Sequence, residues 1–272
     1  MKIRFAVAFA AAVLAAPLAS TAVSAAQCGG DFNTFVSAIS REAAADGISQ
    51  GVISQALGGV HQDQAVLSFD RRQRGTFRKS FEQYVATRVT GGRIKGGKAM
   101  LARHGSLLSR IEKQFGVPPE IIVAIWGLET DFGRGDMGKL PVFRVLATMA
   151  HDCRRTELFQ RELLAALRIV QRGDLRLSDM VGAYAGEIGQ TQFLPSSYIK
   201  YGVDFDGNGH VDLRHSVPDV LASTANLLKV NGWKAGGDYH QGAANFEVMR
   251  EWNRSEIYRR TIGYFADKLA GQ

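Results

Sequence analysis

Apolar residues recur along most of the 272-residue chain at intervals of three and four, the spacing that gathers them on one helix face. Phe32, Phe35, Val36 and Ile39 follow the capping residue Asp31, and Gly47 closes that segment. A short helix is expected over 49–57. Phe77, Phe81, Tyr84 and Val85 mark another amphipathic helix, and Leu101–Phe115 runs as one helix to Gly116. Val142–Ala150 and Arg154–Gln171 come next, the latter with Leu158, Leu163, Leu167 and Val170 turned inward. Ser216, Pro218 and Asp219 open a helix that Gly232 closes; Phe246–Trp252 and Ser255–Leu269 are the last two. The polar and basic run His61–Gly75 reads as irregular and Thr130–Pro141 as a loop, and Gly91–Gly97 is glycine-rich with Arg93 and Lys95. Gly91–Gly97 lacks the GxxxxGK[ST] pattern and a preceding strand, so it is no phosphate loop. Strict alternation never lasts more than a few residues. The pattern predicts a mainly α fold with at most a minor β-hairpin.

One segment breaks the amphipathic rule. Pro118–Gly133 reads PPEIIVAIWGLETDFG, apolar on nearly every side. Such a helix is enclosed by protein. Pro118 suits its first turn, Glu120 favours the dipole there, and Gly133 offers a stop. A single acid, Glu129, closes the apolar run. A carboxyl held against Trp126 and isoleucine is desolvated, which raises its pKa toward that of a general acid at neutral pH. An acid at an exposed helix end is the plain alternative. Trp126 is read as core, whereas Phe132 and Phe193 could serve the core or a sugar ring equally.

The first 26 residues carry Lys2 and Arg4, then the alanine-rich Phe5–Leu18 and a small-residue site at Ser24-Ala25-Ala26. This is the layout of a secretory signal peptide, and the apolar run is short for a membrane span. Gln27, before Cys28, does not suit a lipoprotein signal. Without Lys2 and Arg4 the formal charge falls from +7 to +5, which suits an anionic polymer. No dense Lys/Arg run interleaved with aromatics points to nucleic acid. Cys28 and Cys153 could pair in an oxidising compartment. The six histidines are scattered with no HExxH pair, so no zinc is expected.

Gly182–Tyr198 combines Gly182, Gly186 and Gly189, which admit a close backbone, with Tyr184, Gln190, Gln192, Ser196, Ser197 and Tyr198 as hydrogen-bonding partners. The mix suits a sugar, and an ordinary polar loop is the alternative. Asp204, Asp206 and Asn208 then stand at positions one, three and five of a calcium-type loop with Gly209 at six. His210 would give its backbone carbonyl, and His215 occupies the place of the usual closing Glu.

Taken in order, E-T-x-F-G from Glu129, YAG-x-x-G-x-x-QF-x-PSSY from Tyr184 and D-F-D-G-N-G from Asp204 resemble the membrane-bound lytic transglycosylase B family, which cleaves peptidoglycan. The resemblance runs from about Phe32 to the C-terminus. It implies a lysozyme-like α-rich catalytic domain with a single EF-hand-like calcium loop and Glu129 as sole catalytic acid. It implies a groove lined by Arg154 and Arg155, Gln192 near the acid, and Asn253 and Tyr258 flanking it. It implies a structural calcium site of Asp204, Asp206, Asn208 and His210 closed by Asp219, and no cofactor for catalysis. Ala183 stands where some members carry serine. Glu187 replaces a small residue and either raises the pKa of Glu129 or faces solvent, the second being preferred.

The expected organisation is a signal peptide over 1–26 and a catalytic domain over 27–272, whose helical part 31–115 packs on a core 116–272, with no separate peptidoglycan-binding module. The expected protein is a periplasmic monomer acting on peptidoglycan glycan strands, with wall or secretion-assembly proteins as further partners. It would cleave the MurNAc–GlcNAc bond without water, leaving 1,6-anhydromuramic acid. A muramidase-type hydrolase and a wall-binding protein with an idle site are the alternatives.

Overall fold

The computed structural model describes residues 26–72 and 80–272. The expected leader, apart from Ala26, and the helix marker Phe77 lie outside the described residues. The helices, in chain order, are α1 (Phe32–Ala45), α2 (Gln50–Leu57), α3 (Gln64–Arg72), α4 (Phe81–Arg88), α5 (Gly91–Arg103), α6 (Gly105–Phe115) and α7 (Pro119–Thr130). After the short strand β1 (Leu140–Pro141) come α8 (Val142–His151) and α9 (Thr156–Gln171). Strand β2 (Val181–Gly182) precedes α10 (Pro195–Tyr201), α11 (Val217–Val230), α12 (Ala244–Val248) and α13 (Glu256–Ala270). β1 and β2 pair antiparallel, Leu140 opposite Gly182. The expected hairpin is thus a two-strand ribbon whose strands are separated by α8 and α9.

Local chemistry explains most boundaries. Asp31, Ser49, Thr90, Ser216 and Ser255 each accept a hydrogen bond from a backbone N–H of the first turn that would otherwise be unpaired. Ser80 and Gln83 form a reciprocal capping box at α4. Gly116 ends α6 at φ 74°, a left-handed conformation that costs glycine little.

Two expectations are corrected, and the glycine-rich run finds its place. His61–Gly75 contains α3, because Asp63 accepts from the N–H groups of Ala65 and Val66, and Val66 and Leu67 bury on one face. Arg71 and Arg72 at its end are exposed. Gly91–Gly97 is the first half of α5. A Cβ on Gly97 would meet Leu269 Cδ2 at 2.5 Å, and one on Gly96 would meet Phe132 Cε2 at 3.0 Å. These glycines serve close packing between helices, not loop freedom. Leu101–Phe115 is broken at His104, where φ is −107°, so α5 and α6 are separate.

α7 forms the centre. Residues 121–128 are all buried, each large apolar side chain contributing roughly 1.5–3 kcal/mol of transfer free energy. α13 lies along α7, and α5, α6 and α11 complete its surroundings. α8 and α9 pair beside this group, α10 packs on α9, and α1 and α2 cover α8 and α9. Cys28 and Cys153 are joined by a disulfide, with Cα atoms 5.1 Å apart, fastening the start of the described chain to the α8–α9 turn. Among the described residues no helix is long and apolar enough to cross a membrane.

Candidate active site

Glu129 sits one residue from the end of α7. There the chain leaves the helix through three consecutive left-handed residues: Asp131 (φ 49°), Phe132 (φ 63°) and Gly133 (φ 73°). Two of these are not glycine, a strain that the surrounding contacts must hold. The Thr130 hydroxyl donates to the Gln190 carbonyl and accepts from Gly133 N–H at 3.1 Å. The Trp126 indole N–H donates to Gln190 Oε1 at 2.9 Å. Gln190 Nε2 in turn donates to the Arg214 carbonyl at 3.0 Å. A Cβ at Gly133 would lie 2.3 Å from Gln190 Oε1, so only glycine leaves room for this clamp. The clamp locks the 182–193 segment against the end of α7, beside Glu129.

The carboxyl of Glu129 has a directional environment. Its Oε1 accepts from the Tyr258 hydroxyl at 2.6 Å and from the Trp252 indole N–H at 3.1 Å. Oε2 has no hydrogen-bond partner among the described residues, and Glu129 as a whole is only partly buried. Burial pushes the Glu129 pKa up. The Tyr258 and Trp252 hydrogen bonds and the Arg88 charge oppose that rise, and the nearby Glu187 carboxylate adds to it. Two donors on Oε1 favour negative charge there, so the proton of the neutral acid belongs on Oε2. Tyr258, buried against this carboxylate, has its own pKa held well above the usual value and stays a donor.

Glu129 opens on a cleft of about 380 Å³ shared with Glu187, Thr191, Gln192, Phe193, Leu194, Ser197, Leu227, Glu251, Trp252 and Asn253. Gln192 is held at φ 55° with its Nε2 donating to the Gly189 carbonyl at 2.9 Å and to the Met137 carbonyl at 3.3 Å. Phe193 meets Trp252 edge-on with ring centres 5.4 Å apart, giving the cleft an apolar wall.

The structure therefore gathers Glu129, Gln192, Ser197, Asn253 and Tyr258 at one place. Other expected sugar-binding residues are elsewhere. Tyr198 is 1 % exposed, and its hydroxyl donates to the Val211 carbonyl and accepts from Leu213 N–H, so it is an internal strut. Ser196, in the first turn of α10, donates its backbone N–H and its hydroxyl to the buried Glu162 carboxylate. Tyr184 lies outside the cleft, stacked on Phe69 with centroids 3.6 Å apart. Arg154 and Arg155 are paired with Asp70, and Arg154 also with Asp152, and neither is among the described residues that line the cleft around Glu129. Glu187 faces the cleft and not bulk solvent alone, its Oε2 accepting from Ala185 N–H at 2.9 Å. Asp131 points away from Glu129, toward Arg93 and Arg134. Phe132 is core against Trp126, whereas Phe193 belongs to the cleft.

Trp252 and Arg88 were not anticipated as parts of the site. Arg88 donates to the Leu128 carbonyl at 2.6 Å, which brings its charge under the acid. Their sequence distances from Glu129 leave no local signal. The Trp252–Tyr258 run carries the one available hint, an indole N–H and a phenol within a single turn-and-helix segment.

At the start of α11, ligand oxygens of Asp204, Asp206 and Asp219 lie within 4.8 Å of one another. No ion pair to a basic residue neutralises them among the described residues. Asp219 is fully buried, receiving N–H bonds from Phe205 and Asp212 at 2.8 and 2.9 Å. Asn208 Oδ1 accepts from His210 N–H at 2.9 Å. His215 is tied to Asp212 and does not join the cluster. An all-oxygen set with several carboxylates fits a hard cation of the calcium type.

A helical, lysozyme-like domain with one enclosed acid over an open cleft defines the class. The chain belongs to the transglycosylase SLT domain family, whose pattern it matches over residues 31–244. It is 39% identical over 149 residues to membrane-bound lytic murein transglycosylase B of Escherichia coli strain K12, covering 54% of this chain and 41% of that protein. The chain thus spans about two fifths of the length of this curated relative. It resembles SltB3 of Pseudomonas aeruginosa in complex with NAG-NAM-pentapeptide at a TM-score of 0.83 and 31% identity, over 90% of this chain and 81% of that one. It also resembles the Escherichia coli lytic transglycosylase Slt35 in complex with calcium, at a TM-score of 0.77 and 25% identity, over 90% and 96% of the two chains.

Proposed function

We propose that this chain is a lytic transglycosylase of peptidoglycan in which Glu129 acts first as acid and then as base. The observation that carries the reading is the asymmetric carboxyl: Oε1 is fixed by Tyr258 and Trp252, and Oε2 is free to carry a proton to the cleft. The raised pKa keeps that proton available at higher pH than an ordinary glutamic acid would. Glu129 donates it to the glycosidic oxygen between N-acetylmuramic acid and N-acetylglucosamine, and the bond to the muramyl C1 breaks. The muramyl N-acetyl group stabilises the cationic centre. The ionised Glu129 then takes the proton of the muramyl 6-hydroxyl as that oxygen bonds to C1, closing a 1,6-anhydro ring. One acid returns to its starting state and no water is consumed. Gln192, Ser197 and Asn253 line the cleft as hydrogen-bonding partners for the sugars, with Phe193 and Trp252 as apolar walls.

A hydrolytic muramidase is the second reading, favoured by the placing of Glu187 in the same cleft, where it could serve as the second carboxylate such enzymes use. Peptidoglycan as substrate is supported by the pentapeptide-bearing disaccharide in the complex of the similar SltB3. The Cys28–Cys153 disulfide and the leader pattern support export to an oxidising compartment, the periplasm. Asp204, Asp206 and Asp219, with Asn208 and the His210 carbonyl, would hold a structural calcium ion whose charge offsets three carboxylates. Replacing Glu129 by Gln keeps an acceptor for Tyr258 and Trp252 but removes the proton. This variant should fail to clear a suspension of purified sacculi while keeping a native circular dichroism spectrum. Clearing within tenfold of the wild-type rate would refute the assignment.

A further inference from the structure

Glu187 and Glu251 line the same cleft as Glu129 and take no part in the proton path proposed above. Glu251 is exposed, whereas Glu187 is half-buried and belongs to a closed turn. Across that turn the Ala183 N–H donates to the Glu187 carbonyl at 3.1 Å, and Gly186 between them has φ 82°. A Cβ on Gly186 would lie 2.5 Å from Leu146 Cδ2, and one on Gly182 would lie 2.0 Å from the Glu187 carbonyl oxygen. The turn is therefore pressed both on α8 and on itself. Ile188, the next residue, exchanges backbone hydrogen bonds with Phe193 at 2.8 and 3.0 Å. Within this frame Glu187 Oε2 accepts from Ala185 N–H at 2.9 Å. Oε1 has no hydrogen-bond partner among the described residues, and no ion pair there neutralises the carboxylate.

A fixed carboxylate beside another acid, with no cation among the described residues that line the cleft, works against the resting site. It adds to burial in keeping the proton on Glu129. The balance changes once that proton leaves. Glu129 becomes a carboxylate, and the muramyl unit carries a positive charge shared by C1 and its N-acetyl group until the 6-hydroxyl oxygen bonds to C1. A negative charge already fixed in the cleft then attracts the sugar without having to reorganise. The cost at rest and the gain in the cationic state have one source.

We propose that Glu187 is the counter-charge of this cationic state, and that it takes no proton and forms no bond to C1. The inference rests on the proposed acid–base role of Glu129. It adds to that role the residue that favours the charged state over the bound substrate.

Two measurements test it. The first is binding to the Glu129→Gln protein, in which the acid adds no charge. The probe is an N-acetylglucosamine disaccharide whose terminal ring is an iminosugar, cationic at neutral pH, set against the neutral parent disaccharide. The cation should bind more tightly. Adding Glu187→Gln should weaken the cation about two- to fivefold and leave the neutral sugar unchanged. No preference for the cation, or equal weakening of both sugars, would overturn the proposal. The second is the rate of release from purified sacculi across pH. Glu187→Gln keeps the side-chain length and an acceptor for Ala185 N–H. It should lower kcat about tenfold or more with KM little changed. The alkaline limb set by Glu129 should move to lower pH, because a charge that helps hold its proton is gone. Tyr84, Arg88, Glu251 and Tyr258, the other titratable groups around Glu129 and its cleft, are the same in both proteins. Glu187→Asp should recover part of the rate. An unchanged kcat, or a slower rate with the alkaline limb in place, would overturn the proposal. Reducing-end products from the wild type would instead count against the proposed function, and the iminosugar comparison would still decide whether Glu187 holds the cation.

Discussion

Glu129 carries a cost that its function explains. Its pKa is raised by burial in the folded chain relative to the unfolded one. Below the unfolded value both states hold the proton, and the residue costs no stability. As pH climbs through the unfolded value, the unfolded chain ionises while the folded chain keeps its proton, so stability falls. The loss levels off once pH passes the raised folded pKa. Glutamine has no charge to bury at any pH and keeps the acceptor for Tyr258 and Trp252. Glu129→Gln should therefore melt with wild type at about pH 4, near the unfolded carboxyl value, and above it at neutral pH. Melting curves of both proteins at the two pH values check this; a difference that is the same at both would contradict it. This acid was legible because a single charge ended an all-round apolar run. Trp252, 123 residues away, was not, because only the fold brings its indole to Oε1. Tyr198 was misread for a related reason: a hydroxyl in a polar-looking segment says nothing about whether it meets substrate or the Val211 carbonyl.

At the scale of elements, α7 is a buried strut whose position depends on how closely α5 and α13 approach it. Gly97 has its virtual Cβ 2.5 Å from Leu269 on α13 and 3.4 Å from Phe132. Gly97→Val should force those helices apart and cost about 1–3 kcal/mol or more from overpacking, seen as a lower denaturant midpoint. An unchanged midpoint would mean the contact is not needed. The hydrophobic period disclosed α1, α7, α9, α11 and α13 because each buries a stripe or its whole surface. It hid α3, whose nine residues bury only Val66 and Leu67, and α5, where glycines mimic a loop. Composition reports freedom; here the glycines report proximity. The Thr130–Pro141 loop was legible as a loop, but its clamp on Gln190 was not, since Gly133 is needed for a contact with residue 190 and not for a turn alone.

Across the whole molecule, the acid, its donors and the cleft-lining residues come from α7, the 182–198 segment and the α12–α13 region, which only tertiary packing assembles. Two features lie far from the cleft residues in sequence, a disulfide and a carboxylate cluster. The disulfide joins residues 125 apart in sequence. The carboxylate cluster sits where the 204–212 loop meets the start of α11. If calcium occupies it, millimolar calcium should raise the melting temperature of the wild-type protein, and Asp206→Asn should reduce that rise. No calcium-dependent shift in the wild type would remove the ion from the account. The disulfide and the clustering of these carboxylates were legible in outline, because cysteine count and the spacing of Asp204, Asp206 and Asn208 are local signals. Which acid closes the loop depended on resemblance.

The central claim is that one carboxyl, with Oε1 pinned and Oε2 open, makes a ring-closed product without water. The most direct test is mass spectrometry of muropeptides released from purified sacculi, with Glu129→Gln in parallel. The account predicts fragments ending in 1,6-anhydromuramic acid, one water lighter than reducing ends, and none from the variant. Reducing-end fragments from the wild type would contradict it and place Glu187 beside Glu129 in a hydrolase.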